Sequence, residues 1–263
     1  MVGQAGRLAG RFIAVTGAAQ GIGQAIAAEF RAEGADLFLL DIDGPSLEHA
    51  AAELTHLPGG ALLHAAADIA DADRVAQVFA DAALAQGRHL DGLVNNAGVN
   101  VFHPPLQTDA AEWQRAFAIN LEGAWSCARA VLPGMIAAGH GVILNIASTH
   151  SFTIIPGTFP YPVVKHALLG LTKSLALEYA AQGVRVNAIA PGYVATQKVL
   201  DWWDTQPDPA AARAATLALH PQGRIAEACE IARAATFMIS DECPFMTATC
   251  LTIDGGLSQR QHA

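Results

Sequence analysis

The 263-residue chain is short of charge: Lys, Arg, Asp and Glu make up 15% of it, against 52% hydrophobic residues. That balance argues against a disordered chain. Basic residues are few and dispersed, 15 against 24 acidic ones, for a net charge of −9. Without a basic cluster to follow a phosphate backbone, nucleic acid is not an expected partner. No uncharged apolar run reaches the roughly 18 residues of a membrane helix, so no membrane span is expected. The start, MVGQAGRLAGR, lacks the basic patch and apolar stretch of a signal peptide, and the end, SQRQHA, is no familiar address. There are only four cysteines, Cys127, Cys229, Cys243 and Cys250. They form no CxxC pair or His-rich spacing, which points away from metal sites and disulfides. The expectation is a soluble cytoplasmic protein.

Short apolar runs alternate with longer amphipathic, Ala-rich stretches. Seven runs read as strands: residues 11–16, 35–41, 61–68, 91–98, 141–148, 183–192 and 248–256. Continuous apolar strands alternating with helices imply a parallel sheet covered on both faces. No repeat or long linker interrupts the pattern, so one α/β domain is expected: a doubly wound, seven-stranded parallel sheet with helices on both faces. The least regular segment is 193–224, with two prolines close together at 207 and 209. Such an excursion beyond a strand's carboxyl end is expected to be a lid over a ligand crevice.

The first strand runs into TGAAQGIG, residues 16–23, and then a helix. Gly17, Gly21 and Gly23, with Gln20 and Ile22 between them, leave a turn with little side-chain bulk at a helix N-terminus. A pyrophosphate can approach the N–H groups there, favoured by the helix dipole. In this strand–turn–helix context the turn predicts dinucleotide binding. Asp41 closes the second strand, where a carboxylate can accept from both ribose hydroxyls and repels a 2′-phosphate. Ile42 follows it, and Gln20 stands in the turn where a basic residue would favour NADP. The expected cofactor is NAD. The other reading of Asp41 is a cap for the helix that begins GPSLEHA. Asp68 and Ile69 follow the third strand and can flank adenine; alternatively Asp68 caps the next helix.

With these pieces in view, the chain resembles the short-chain dehydrogenase/reductase family over nearly its whole length. The matching motifs are TGAAQGIG at 16–23, NNAG at 95–98, Asn120 in FAINLEG, Ser148, YPVVK at 161–165, PGYVAT at 191–196 and IDGG at 253–256. The resemblance implies a Rossmann-type fold and a catalytic tetrad of Asn120, Ser148, Tyr161 and Lys165. It implies that Tyr161 is the acid/base and that Lys165 also bonds the nicotinamide ribose. Asn120 would hold a water for proton relay through Lys165; its plainer reading is a helix-interior Asn bonded to backbone. Asn95, Ala97 and Gly98 would line the adenosine ribose, with the asparagine steadying the central sheet. Ile189, Pro191 and Gly192 would cradle the nicotinamide, Val194 would also contact the cofactor, and Thr196 would bond its phosphate or carboxamide. Tetramers are also implied, with the apolar helix faces around 110–138 and 164–179 as the available surfaces.

The residue types suit the chemistry. Oxidising an alcohol takes a proton from oxygen as hydride leaves carbon. A free tyrosine titrates near 10, too high for a base at neutral pH. An ammonium four residues along the same helix face, together with a positive nicotinamide, favours the phenolate. Lys165 is therefore expected to lower the pKa of Tyr161. Ser148 can hold the substrate oxygen; NIASTH has no GxSxG elbow, so it is not read as a hydrolase nucleophile. Pro162 is acceptable in a first helical turn and is expected to hold Tyr161 in an extended backbone.

The substrate is less well marked. Candidate pocket residues are Asn100, His103, Ser148, Thr149, His150, Ile154, Gly157, Phe159, Tyr161 and Tyr193, with Gln197, Trp202 and Trp203 from the lid. Polar groups beside aromatic plates suit a sugar or polyol. The tryptophan pair could instead anchor the lid. A bulky apolar hydroxy or keto substrate, steroid-like or a 3-oxoacyl thioester, is the second reading. The acidic chain would repel an acidic acyl carrier. A non-catalytic dinucleotide sensor is the remote third, and the complete tetrad speaks against it.

Overall fold

The computed structural model describes residues 6–260. Seven parallel strands form one sheet: β1 (Phe12–Thr16), β2 (Asp36–Asp41), β3 (Leu62–Ala66), β4 (Gly92–Asn95), β6 (Gly141–Ile146), β8 (Val184–Pro191) and β9 (Cys250–Ile253). Their spatial order is β3-β2-β1-β4-β6-β8-β9. Two further strands, β5 (Phe102–His103) and β7 (Phe159–Pro160), pair antiparallel away from the sheet and lay outside the sequence expectation. The order reverses at β1, between β2 and β4, and a crevice opens there beyond the strand ends.

Alternation along the strands separates two cores. Ile13 and Val15 of β1, with Leu37 and Leu39 of β2, pack on α1 (Gly21–Ala32), α2 (Gly44–Leu54) and α9 (Ala228–Ile239). Their neighbours Phe12, Ala14, Phe38 and Leu40 face the other way, onto α3 (Ala72–Gln86), α5 (Gly123–Ala138) and α6 (Tyr161–Tyr179). Period-two side chains with both faces apolar require such helix layers on each side. Phe38 meets Phe79 of α3 edge to face, with centroids 5.4 Å apart.

A polar thread crosses this apolar interior. Asn95 and Asn145 stand opposite each other in the β4–β6 register. Asn95 Nδ2 donates to Asn145 Oδ1 at 2.9 Å, and Asn145 Nδ2 donates to Thr172 Oγ1 of α6 at 2.9 Å. Asn145 is fully buried. The thread fixes α6, which carries Tyr161 and Lys165, to the sheet.

Several local expectations change. Segment 193–224 contains two helices, α7 (Gln197–Asp204) and α8 (Pro209–Leu219), the second starting on a proline. Proline is well placed at a first helical position, so it marked a start and not irregularity. Asp43, not Asp41, caps α2 by accepting from Ser46 N, and Asp71, not Asp68, caps α3 by accepting from Arg74 N. Helix α6 begins at Tyr161 itself. Pro162 therefore sits in the first turn and does not hold Tyr161 in an extended segment.

Asn145→Ala would leave Asn95 and Thr172 short of one partner each inside the sheet. The expected loss is about 3 kcal/mol of unfolding free energy, read from urea denaturation, with far-ultraviolet circular dichroism unchanged in native buffer.

Candidate functional site

Strand β1 ends in a turn that only glycine can make at two points. Gly17 and Gly21 have φ of +63° and +60°, the left-handed region that favours glycine. A Cβ on Gly17 would lie 2.8 Å from Ala97 Cα, and one on Gly23 would run into the Gly17 carbonyl oxygen. Helix α1 then starts behind Gln20, with no side-chain cap and no acid in its first turn. Its first N–H groups are thus left for an anionic ligand. Gln20 is exposed, Ile22 packs on the core, and Thr196, which precedes α7, sits over Gly21.

Asp41 is oriented by backbone donors. Oδ2 accepts from Ala19 N at 3.0 Å and Oδ1 from Asp43 N at 3.1 Å. Ile42 beside it is 69% exposed. On the third strand's side, Asp68 accepts from Ala70 N at 2.9 Å. Ile69 is buried against Gly123. Glycine cradle, anchored carboxylate and exposed apolar side chain together fit the phosphates, ribose and adenine of a dinucleotide.

The tetrad residues converge on one cavity of about 150 Å³. Its wall includes Asn100, Asn120, Ser148, Tyr161, Lys165 and Gly192; Ile22, Asn96, Gly98 and Pro191 complete the cofactor side. Ser148 lies just beyond β6, and its Oγ accepts from His150 N at 3.1 Å. Lys165 is 5% exposed, and its Nζ donates to the Ile146 carbonyl at 2.9 Å. The same Nζ stands over the Tyr161 ring, 5.5 Å from its centroid.

Burial sets the electrostatics of the ligand-free site. Burial pushes the Tyr161 phenol up to about 12, opposed by the Ser148 hydroxyl, and pulls Lys165 down to about 8. Without a ligand, desolvation outweighs the attraction between ammonium and phenolate, because Nζ lies over the ring and is directed at a carbonyl.

Asn120 is 2% exposed and lies in a π-helical turn, Ala118–Glu122, between α4 (Ala110–Phe117) and α5. Its Nδ2 donates to the carbonyls of Val99 and Ala116, and its Oδ1 accepts from Val99 N. The side-chain amide is thus bonded to backbone, as the plainer reading has it, and clamps the loop after NNAG. The Asn95 side chain steadies the sheet as expected, its Nδ2 donating to Ala124 O and to Asn145 Oδ1. The neighbouring Asn96 was missed by the sequence reading. It lines the cavity and donates to the Thr16 and Gly17 carbonyls. The doubled asparagine was its signal: one side chain turns into the sheet, the next falls past the strand end. Ala97 N donates to Thr16 Oγ1, and buried Val194 bridges to Ala226.

Of the expected substrate residues, Asn100, Ser148 and Tyr161 line the cavity. The others lie outside its wall. His103 Nε2 is 2.7 Å from Glu112 Oε1. Phe159 packs on Trp113, and Tyr193 on His220. Trp203 is buried and donates from Nε1 to Thr216 Oγ1 at 3.1 Å, so it ties α7 to α8 and does not face the cavity. Trp202 is 44% exposed. His150 packs edge-on against Tyr161, with centroids 5.7 Å apart, and burial lowers its pKa. Phe102 does the same from another side at 5.3 Å, a contact created by the β5–β7 pair and invisible in sequence.

A doubly wound sheet with a glycine turn, an acid at the end of β2 and a Ser–Tyr–Lys cavity defines a dinucleotide-dependent oxidoreductase. Comparison with known proteins agrees. The sequence model of the enoyl-(acyl carrier protein) reductase family matches residues 17–258. The chain is 37% identical to 2-(S)-hydroxypropyl-CoM dehydrogenase 3 of Xanthobacter autotrophicus, covering 96% of this chain and 98% of the relative. It is 39% identical to galactitol 2-dehydrogenase (L-tagatose-forming) of Cereibacter sphaeroides, covering 95% and 96%. A crystal structure from Beutenbergia cavernae, described as an NAD(P)-dependent gluconate 5-dehydrogenase with NADP bound at low occupancy, superposes with a TM-score of 0.88. It has 35% identity and coverage of 96% and 98%. The chain belongs to the short-chain dehydrogenase/reductase family. It is an oxidoreductase of alcohols or ketones that uses a nicotinamide cofactor.

Two outcomes follow. Gly23→Ala is expected to weaken dinucleotide binding at least about 100-fold, read by calorimetric titration. For Lys165 the unfolded chain holds its proton more tightly than the fold does. Between pH of about 8 and the ordinary lysine value, the unfolded state therefore binds more protons, and stability rises with pH. Lys165→Met is expected to abolish that rise and to stabilise the fold at pH 7 by about 1–3 kcal/mol, measured by urea denaturation at pH 7 and 9.5.

Proposed function

We propose that the chain is an NAD-dependent dehydrogenase acting on a secondary alcohol of a sugar or polyol. The observation that carries this reading is one cavity in which the Ser148 hydroxyl, the Tyr161 phenol and the buried Lys165 ammonium meet. The dinucleotide rests on the Gly17–Gly23 turn and the α1 N-terminus, with Asp41 accepting from the adenosine ribose. Asp68 and Ile69 flank adenine, and Pro191, Gly192, Val194 and Thr196 hold the nicotinamide end. When bound, the oxidised group supplies the hydride acceptor.

Tyr161 takes the alcohol proton. Its phenol is too basic in the ligand-free chain, so ionisation at neutral pH requires positive charge brought by the cofactor in addition to Lys165. Ser148 donates to the substrate oxygen and steadies charge as it develops. Lys165 bonds the nicotinamide ribose and passes protons outward. Asn120 keeps the Val99 loop and the cavity wall in place.

Support for NAD comes from Asp41, aimed by Ala19 and Asp43, and from the absence of an Arg or Lys in the turn or at Ile42. The polyol reading is supported by a wall containing Asn100 and Ser148 and by the galactitol dehydrogenase relative. The second reading, an apolar hydroxy or keto substrate, is favoured by the rings of Phe102 and His150 against Tyr161. Helices α7 and α8 would form the lid. We also infer a homotetramer, supported by exposed Trp125 on α5 and Val163 and Leu177 on α6. A cytoplasmic setting is supported by four unbonded cysteines. Among the described residues no helix is long and apolar enough to cross a membrane.

Turnover of aldoses, polyols, hydroxysteroids and secondary alcohols with NAD and with NADP tests the reading. One sugar or polyol oxidised with NAD is expected. Apolar alcohols alone would favour the second reading, and silence would favour a dinucleotide sensor. Tyr161→Phe should lower kcat at least about 1000-fold and leave dinucleotide affinity unchanged. Asp41→Ser should narrow the preference for NAD over NADP by at least about tenfold, read from the ratio of kcat/KM values.

A further inference from the structure

Behind the cavity wall made by Pro191 and Gly192 stands a buried histidine that the site has not used. His220 ends α8 and is 3% exposed. Its Nδ1 donates to the Thr216 carbonyl at 3.0 Å. In the neutral ring this leaves Nε2 as a lone-pair acceptor. Nε2 is buried and meets no donor among the described residues. What it does meet is Gly192, where a Cβ would stand 3.3 Å from Nε2 and 3.1 Å from Asp254 Cα. The ring also packs edge-on against Tyr193, with centroids 5.7 Å apart and planes at 81°. His220 is not in the cavity wall, but it packs on Tyr193 and leaves little room for a side chain at Gly192.

The same ring ends a line of contacts running through α7 and α8. Trp203 of α7 donates to the Thr216 hydroxyl of α8, and the Thr216 carbonyl accepts from His220. All three residues are at least nine-tenths buried. The segment after His220 is held from behind, with Pro221 against Gly256 and Gln222 against Gly255. Arg260 donates to the Ala218 carbonyl at 2.5 Å. The imidazole is therefore fixed between the end of α8, which Thr216 ties to α7, and the turn that lines the cavity.

We propose that His220 is a positioning residue that locks the Gly192–Tyr193 turn to the α7–α8 unit, so that cavity wall and lid keep one register. A histidine that merely filled space at a helix end would need neither its bond to Thr216 nor its contact with Gly192. The kinetic consequence rests on the proposed hydride-transfer reading; the structural consequence does not.

Two variants separate these roles. His220→Leu removes ring and tether, whereas His220→Asn keeps a donor for the Thr216 carbonyl and loses the ring. Amide hydrogen exchange is measured on the ligand-free protein, and kcat and KM on the best substrate found. In His220→Leu, amides of residues 192–196 should exchange at least about tenfold faster. The same variant should lose at least about tenfold in kcat, with KM for the dinucleotide within about threefold of wild type because the adenosine half is held elsewhere. In His220→Asn the end of α8 should exchange as in wild type while the turn stays fast. Faster exchange confined to α8, or a kcat loss no larger than the loss of folded protein, would overturn the proposal. An inactive wild type would overturn the hydride-transfer reading, and the exchange data would still decide whether His220 couples turn to lid.

Discussion

The site depends on a buried ammonium. Lys165 has lost almost all contact with water and keeps the Ile146 carbonyl as its hydrogen-bond acceptor. A charge so placed is unfavourable in the ligand-free fold, which is why burial pulls its pKa down to about 8. The sheet makes the placement possible. Strand β6 lies between β4 and β8, so its last carbonyl opens at the floor of the crevice. Helix α6 is pinned above it by the Asn95–Asn145–Thr172 thread. The polar groups inside the apolar layers thus serve to hold one lysine and one tyrosine at a fixed height over the strand ends.

The two halves of the crevice have different physical characters. On the β1–β2 side, backbone N–H groups, a helix N-terminus and an anchored carboxylate await a ligand with phosphates and hydroxyls. On the β6–β8 side, side chains form the wall, and both titrating groups stand in their neutral-favouring environment. In the proposed reading a cationic ring bound there would change the balance, because it would stabilise a phenolate that burial disfavours. On that proposal the basicity of Tyr161 would depend on cofactor occupancy, and binding would be linked to readiness for proton transfer.

Much of this was legible in the chain because it is local. A glycine turn between strand and helix, an acid at a strand end and a tyrosine four residues before a lysine each express their geometry within a few positions. What escaped depends on partners far away in sequence. Asp41 and Asp68 carried helix caps as their alternative readings until Asp43 and Asp71 took those places. Trp203 read either as a binding plate or as an anchor of the lid, and its indole N–H donates to Thr216 as an anchor would. Asn120 was placed correctly at the cavity, but its amide is held by Val99, which no spacing rule reveals. Phe102 reaches Tyr161 only because β5 pairs with β7. The prolines of 193–224 suggested a loose excursion, whereas Pro209 starts a helix.

The most direct test of the central claim is the titration of Tyr161 itself. The chain has three tyrosines, so carbon-13 labelling of the phenol carbons with assignment by Tyr161→Phe gives one resolved signal to follow with pH. The account predicts that Tyr161 stays protonated beyond the ordinary tyrosine range in the ligand-free protein and ionises much nearer neutrality once oxidised dinucleotide is bound. A signal that titrates at the same pH in both states would contradict it.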